Sequence, residues 1–339
     1  MTVIVGFGEM LLRLKSPGAE RFFQSPQLEA TFGGAEFNVL ASLSHFGYDT
    51  RLVTALPAQS IGAAARTELQ RHGIAPGFVV AAPGRMGLYY YEAGSNLRGA
   101  QVIYDREGSA FATAAAGVYS WSGVLDGADW FHVTGISAAV SASSAKAMTE
   151  SMAQAADKNI PVSLDLNYRK HLWDRAGRDA ASVMVPLLDH VTVLFAGVDD
   201  AVACLDIAPP PEGTALEQFR TVAQQLMARH PRLAVVVATF REARSADDQS
   251  IWAAAYDGTD LLVTEPLVLR DIVDRIGAGD AFVAGYLHGT FCGRSILERL
   301  AFALSADALK HSIPGDVNLV TIPEVKAVMH GHDPGRVKR

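Results

Sequence analysis

The segment Asp274-Arg275-Ile276-Gly277-Ala278-Gly279-Asp280-Ala281-Phe282 stands where a helix-forming run begins. Gly-Ala-Gly at a helix start presents successive backbone N–H groups, and the helix dipole there favours negative charge. The segment is therefore fit to receive a phosphoryl group. Asp280 admits two readings: a carboxylate that caps the helix, or one that accepts the proton of a hydroxyl attacking the phosphate. A second segment, Phe32-Gly33-Gly34-Ala35-Glu36-Phe37-Asn38, opens another apolar helix. Its small residues let a hydroxylated or anionic ligand reach the backbone, and Asn38 offers one donor and one acceptor to a pair of sugar hydroxyls. A plain glycine turn before a helix fits the same residues.

Other chemistries lack their residues. Gly6-Phe7-Gly8-Glu9-Met10-Leu11 starts like a dinucleotide fingerprint, but Leu11 stands at the third glycine position and the next residues read as extended. None of the seven lysines follows a glycine, so there is no P-loop of the GxxxxGK[ST] type. No GxSxG elbow is present, and the ten histidines show no HExxH spacing. Cys204 and Cys292 are the only cysteines, form no CxxC, and are expected to be buried core thiols.

The elements that must position these residues follow a β-α-β rhythm, the pattern of a parallel sheet covered on both faces. Buried strands are predicted at 3–6, 51–55, 130–134, 162–166, 191–195 and 233–238, and helices at 35–46, 61–72, 143–158, 216–229, 280–290 and 296–311. Residues 11–32 and 86–104 are aromatic and turn-rich, and are expected to form a small sheet projecting as a flap over the main-sheet edge. The proline run at 209–213 is expected to cap a helix, and the polar tail 331–339 to be frayed.

With 339 residues, 49% apolar and 19% charged, the chain is an ordinary globular protein rather than a disordered or disulfide-built one. A single α/β domain spanning 1–339 is expected. The net charge of -7 gives no basic surplus for nucleic acid. The first residues lack a basic leader, and no apolar run approaches the roughly 18 residues that span a bilayer. A cytoplasmic protein with no membrane partner is the expectation.

The stretch 274–282, together with Gly33-Gly34 to Asn38, resembles the two signature regions of the ribokinase/PfkB family of carbohydrate kinases. The order of elements fits over essentially the whole chain. The resemblance implies a ribokinase-like three-layer α/β/α body with a mainly parallel sheet, a small β-sheet lid, and use of ATP and Mg²⁺. Within the family, Gly8-Glu9-Met10-Leu11, Gly87-Leu88-Tyr89, Tyr104-Asp105-Arg106 and Asp165-Leu166-Asn167-Tyr168-Arg169 resemble the 2-keto-3-deoxygluconate kinase subgroup. That implies a sugar-acid pocket lined by Gly34, Asn38, Tyr89, Tyr104, Arg106 and Arg169, with Asp280 as base. The N–H groups of Ala278, Gly279 and Asp280 would hold the charge on the transferred phosphoryl oxygens, with Gly277 and Gly279 also placed against the nucleotide phosphates.

The residue types make chemical sense of this assignment. A 2-keto-3-deoxy sugar acid carries a carboxylate, and planar guanidinium groups bind carboxylates through paired, charge-assisted hydrogen bonds. Arg106 and Arg169 can supply them; a solvated surface position fits either arginine as well. The expected reaction is transfer from ATP to the 6-hydroxyl of 2-keto-3-deoxygluconate. The alternatives are the galactonate epimer, fructose, or sugar-acid binding without turnover. Departures from the family pattern lie at Gly197-Val198-Asp199-Asp200, where Asp200 remains as the magnesium residue, and at 239–252, expected as an exposed polar loop. In that loop Arg241 and Arg244 are the residues placed to reach phosphates. A monovalent cation is left open, and a homo-oligomer paired through the lid is expected.

Overall fold

A computed structural model describes residues 2–331; the tail expected to be frayed lies, from residue 332 on, outside them. Val3–Phe7 illustrates how the apolar runs build the body. Ile4 and Val5 are both fully buried yet belong to different apolar clusters, because successive strand residues point to opposite faces of a sheet. One cluster is closed by helices such as Ala142–Asp157 and Ala215–Arg229. The other is closed by Ala35–His45, Ala278–Phe291 and Ile296–Lys310. The result is three layers, α/β/α.

The main sheet has 11 strands and runs Leu261–Val263, Gln249–Tyr256, Val235–Ala243, Val193–Phe195, Val162–Asp165, Trp130–Thr134, Val3–Phe7, Asp49–Pro57, Ile74–Ala75, with Leu267–Leu269 and Val79–Ala82 on branches. Pairing is parallel from Val235–Ala243 to Ile74–Ala75 and antiparallel beyond Val235–Ala243. All six predicted strands and all six predicted helices are present, with ends shifted by a few residues.

The region 239–252 departs from expectation. It is an antiparallel hairpin, not a loop, with Thr239 opposite Ala253 and Arg241 opposite Ile251. Phe240 and Trp252 stack across it at 5.7 Å and 8°, and Phe219 meets Phe240 edge-on. That apolar contact supports a distal half that carries the polar residues Arg241, Glu242, Gln249 and Ser250. Ser245 Oγ closes the turn by accepting from the amides of Asp247 and Asp248.

The second sheet, Glu29–Gly33, Leu11–Lys15, Gly87–Glu92, Gln101–Asp105, matches the expected flap. Its inner face buries Leu11, Arg13, Tyr89 and Tyr91. The strand register places Leu12, Leu14, Phe32, Tyr90 and Ile103 on the outer face. The hairpin turn meets this lid, since the Ala246 amide donates to the Asn96 carbonyl and the Asn96 amide to Asp247 Oδ1.

Two smaller expectations change. The proline run leads into Thr214, and it is Thr214, paired with Glu217 in a capping box, that caps Ala215–Arg229. Cys204 is buried as expected, but Cys292 is exposed. It follows the last residue of Ala278–Phe291, where the helix reaches the surface and its apolar face no longer covers the side chain. Among the described residues no helix is long and apolar enough to cross a membrane.

Candidate active site

The carboxyl ends of the main-sheet strands open into a cavity of about 400 Å³. This is where open α/β sheets place their ligands, because the strand-to-helix turns diverge there. Glu9 follows Val3–Phe7, Asp165 ends the strand Val162–Asp165 with Asn167 and Arg169 just after it, and Gly197 with Asp200 follow Val193–Phe195. Tyr89, Tyr104 and Arg106 enter from the lid, and Asn38 and Asp280 from two helix starts.

Asp280 does not cap its helix. The cap of Ala278–Phe291 is Gly277, with no side-chain cap bond. The Asp280 carboxylate instead accepts from Asn38 Nδ2 on Oδ2 at 2.7 Å. Oδ1 is left to accept from a ligand. Burial pushes this carboxyl well above its ordinary range; Asn38 opposes the shift, while Asp165, Asp316 and Glu36 add to it. Asn38 Oδ1 is buried without a hydrogen-bond partner, an acceptor facing no donor of the protein.

Gly277 and Gly34 are the glycines the site cannot replace. Gly277 has φ 81°, and a Cβ there would lie 1.9 Å from the Asp316 carbonyl oxygen. Gly34 has φ 152°, with a Cβ 2.4 Å from the Glu9 carbonyl oxygen. Gly34→Ala is expected to cost about 1–3 kcal/mol, read as a lowered melting temperature. An unchanged melting temperature would mean the turn relaxes freely. Gly279 is open on its Cβ side and borders the cavity. Ala278 differs from expectation: it is buried, and its amide turns to the Arg275 carbonyl at 3.4 Å. The amides of Gly279 and Asp280, in the first turn of the helix, make no backbone bond and are free to receive an anion.

Arg106 is no surface arginine. It is 7% exposed, its Nε lies 3.0 Å from Glu9 Oε2, and its guanidinium sits over the Tyr104 ring at 5.0 Å. Glu9 is also held by Ser109 Oγ at 2.5 Å. The Arg106–Glu9 contact is an ion pair without a hydrogen bond: Nε and Nη1 of Arg106 and Oε2 of Glu9 are all buried without a hydrogen-bond partner, and both residues line the cavity. Arg169 is exposed at the rim, and its charge acts on Asp165 and Asp200. Burial, with the charges of Arg169 and Arg106 adding to it, lowers the pKa of His171. Tyr89 lines the cavity with its hydroxyl already donated to Asp316 at 2.6 Å.

Arg241 and Arg244 lie in and just after the strand Val235–Ala243, exposed and away from the cavity wall. Arg275 borders the cavity instead, half-buried beside Arg241. Glu9, Asp165, Asn167, Arg275 and Asp316 also line the site without having been singled out as ligands. The Asp165-x-Asn167-x-Arg169 spacing, alternating after a buried strand, carried a signal for two of them. Asp316 had none.

Asp165 ends the strand Val162–Asp165 and Asp200 lies in the first turn of the helix Val198–Cys204 that follows the neighbouring strand; each carboxyl is raised chiefly by burial, Asp165 to about 7 with Asp200 adding to the shift. Among the described residues no cluster of three or more His, Cys, Asp or Glu could hold a metal alone. Two carboxylates suit Mg²⁺, which keeps waters and takes oxygen ligands from a bound phosphate.

An aspartate beside a helix-start anion hole, under a sheet lid and at the mouth of a parallel sheet, defines a phosphotransferase acting on a small hydroxylated substrate. The chain belongs to the pfkB family of carbohydrate kinases, whose family model matches residues 1–318, and has that family's ribokinase-like fold. It is 33% identical over 333 residues to a 2-dehydro-3-deoxygalactonokinase of Haloferax volcanii, covering 98% of each chain. The structure of a 2-dehydro-3-deoxygluconokinase from Thermotoga maritima is similar, with TM-score 0.92, 32% identity, and 98% of this chain and 100% of that one covered. A 2-dehydro-3-deoxygluconokinase of Thermoproteus tenax is 25% identical, over 95% of this chain and 92% of that protein.

Proposed function

We propose that this carbohydrate kinase phosphorylates the 6-hydroxyl of a 2-keto-3-deoxy sugar acid, with 2-keto-3-deoxygluconate as first substrate and ATP as donor. The observation that carries the proposal is the pair of unused buried polar atoms, Arg106 Nη1 and Asn38 Oδ1, in one cavity with Asp280. Arg106 and Arg169 hold the carboxylate, and Asn38 accepts from a hydroxyl. Asp280 Oδ1 takes the proton of the attacking hydroxyl, while the amides of Gly279 and Asp280 receive the charge on the transferring oxygens. Asp200 and Asp165 would hold Mg²⁺, which when bound neutralises phosphate charge. The lid excludes water and so limits ATP hydrolysis. The galactonokinase relative favours the C4 epimer as a second substrate. Pairing of two copies through the apolar outer face of the lid belongs to the same reading, and a monomer in sedimentation would remove it.

Arg169→Ala is expected to weaken sugar-acid binding by about 2 kcal/mol and to leave neutral sugars less affected. Equal losses for both would assign the residue to the fold. Asp280 must be ionised to act, so kcat/KM is expected to fall on the acid side at a pH above the ordinary carboxylate value of about 4. A profile flat down to that value would remove Asp280 as base. The phosphorus–proton coupling of the product tests the position, with C6 expected; coupling at another carbon would overturn the reading.

A further inference from the structure

The loop that leads into the anion hole is fixed by buried charge. Asp274, its first residue, has a fully buried side chain; Oδ1 accepts from the Ile276 amide at 3.1 Å and Oδ2 from the Gly315 amide at 3.1 Å. Arg13, reaching from the lid, donates from Nη2 to Asp274 Oδ2 at 2.5 Å and from Nη1 to Asp316 Oδ1 at 2.6 Å. The backbone of Asp316 abuts Gly277. On the other side, Lys310 ends the helix Ile296–Lys310 and is 0% exposed. Its Nζ donates to the Ile313 carbonyl at 3.0 Å and more weakly to the Asp274 carbonyl at 3.5 Å.

An ammonium held by backbone carbonyls occupies the kind of position an alkali-metal ion takes, since carbonyl oxygens replace the water shell of either cation. Here the cation is part of the chain. Burial lowers the pKa of this ammonium and Arg13 adds to the shift, while Asp274, Asp316 and Asp280 oppose it and favour the charged form. The carbonyls it ties together come from both segments that meet behind Gly277, so its charge draws the loop 274–277 onto the loop that follows Lys310.

We propose that Lys310 is a built-in cation that positions the anion-hole loop, and that phosphoryl transfer by this chain needs no free alkali-metal ion. The proposal rests on the kinase assignment of the site. It is tested with ADP formation by the full chain in choline, sodium, potassium, rubidium and ammonium chlorides at constant ionic strength, with potassium-free Mg-ATP. Wild-type turnover is expected to vary by less than about twofold across the series, as a site already filled by an ammonium requires. A rise of several-fold in potassium overturns the proposal.

Lys310→Met keeps the chain length and removes the charge. Folded K310M is expected to lose kcat by about tenfold or more with KM for the sugar acid little changed, a split that marks a transition-state rather than a binding loss. Ammonium or potassium is expected to recover part of the loss. Wild-type turnover in K310M, or a loss that no cation relieves, overturns the proposal. Should K310M fail to fold, the wild-type salt series decides, joined by the wild-type melting temperature, which is expected to be equal in potassium and choline. Melting also separates the two claims: if no sugar acid is phosphorylated in any salt, the substrate reading fails, while a potassium-dependent rise in melting temperature overturns the cation proposal.

Discussion

Asp280→Asn is expected to lower turnover at least ~10²-fold while leaving sugar binding nearly unchanged. The substitution keeps size and planarity, and the side-chain oxygen can still accept from Asn38 Nδ2, which now bonds Oδ2 at 2.7 Å. What it removes is an oxygen able to take the proton as the hydroxyl attacks. The amides of Gly279 and Asp280 remain, so electrostatic stabilisation and positioning should sustain a residual rate. A kcat within a few-fold of wild type in folded D280N would show that the proton leaves by another route. A large rise in KM with kcat preserved would make Asp280 a binding residue only.

Arg13→Met is expected to destabilise the fold by about 3–5 kcal/mol, the usual consequence of breaking a buried ion pair from one side. Arg13 is 1% exposed and serves two carboxylates, of Asp274 and Asp316, that are themselves buried. Without the guanidinium both acids lose their counter-charge in a site that water does not reach, and Tyr89 with Lys310 must compensate alone. The urea midpoint reads the loss. Combining Arg13→Met with Asp274→Asn and Asp316→Asn should return part of it, because the uncompensated charges go as well. A midpoint like wild type in the single variant, or a triple variant as unstable as the sum of its parts, would show that the three groups do not act as one network.

How far the sequence displayed this architecture depended on where each residue's partners lie. The parallel strands were legible because burial on both faces makes them continuous apolar runs, as at Trp130–Thr134, where all five residues are buried. The hairpin from Val235–Ala243 to Gln249–Tyr256 was not, because its distal half is polar and depends on the Phe240–Trp252 stack. The anion-hole glycines and Asp280 were legible as types at a helix start, and the cap reading fell only when the carboxylate was seen to cross to Asn38. Arg13 reads in sequence as an ordinary solvent-facing residue of a lid strand. Its partners are 261 and 303 residues away, so no local pattern announces its burial. Arg106 and Arg169 looked alike as types, yet the first is buried against Glu9 and the second stands at the rim. That difference comes from the body that receives the lid, not from either arginine's neighbours in the chain.

The most direct test of the account is ADP release by the purified protein with Mg-ATP and 2-keto-3-deoxygluconate, its galacto epimer, fructose, ribose or no sugar. Turnover is expected with the two keto-deoxy acids alone, with the epimer ratio ranking them. Turnover of fructose or ribose at the same efficiency would contradict it: the kinase and Asp280 would stand, and the carboxylate would lose its place between Arg106 and Arg169.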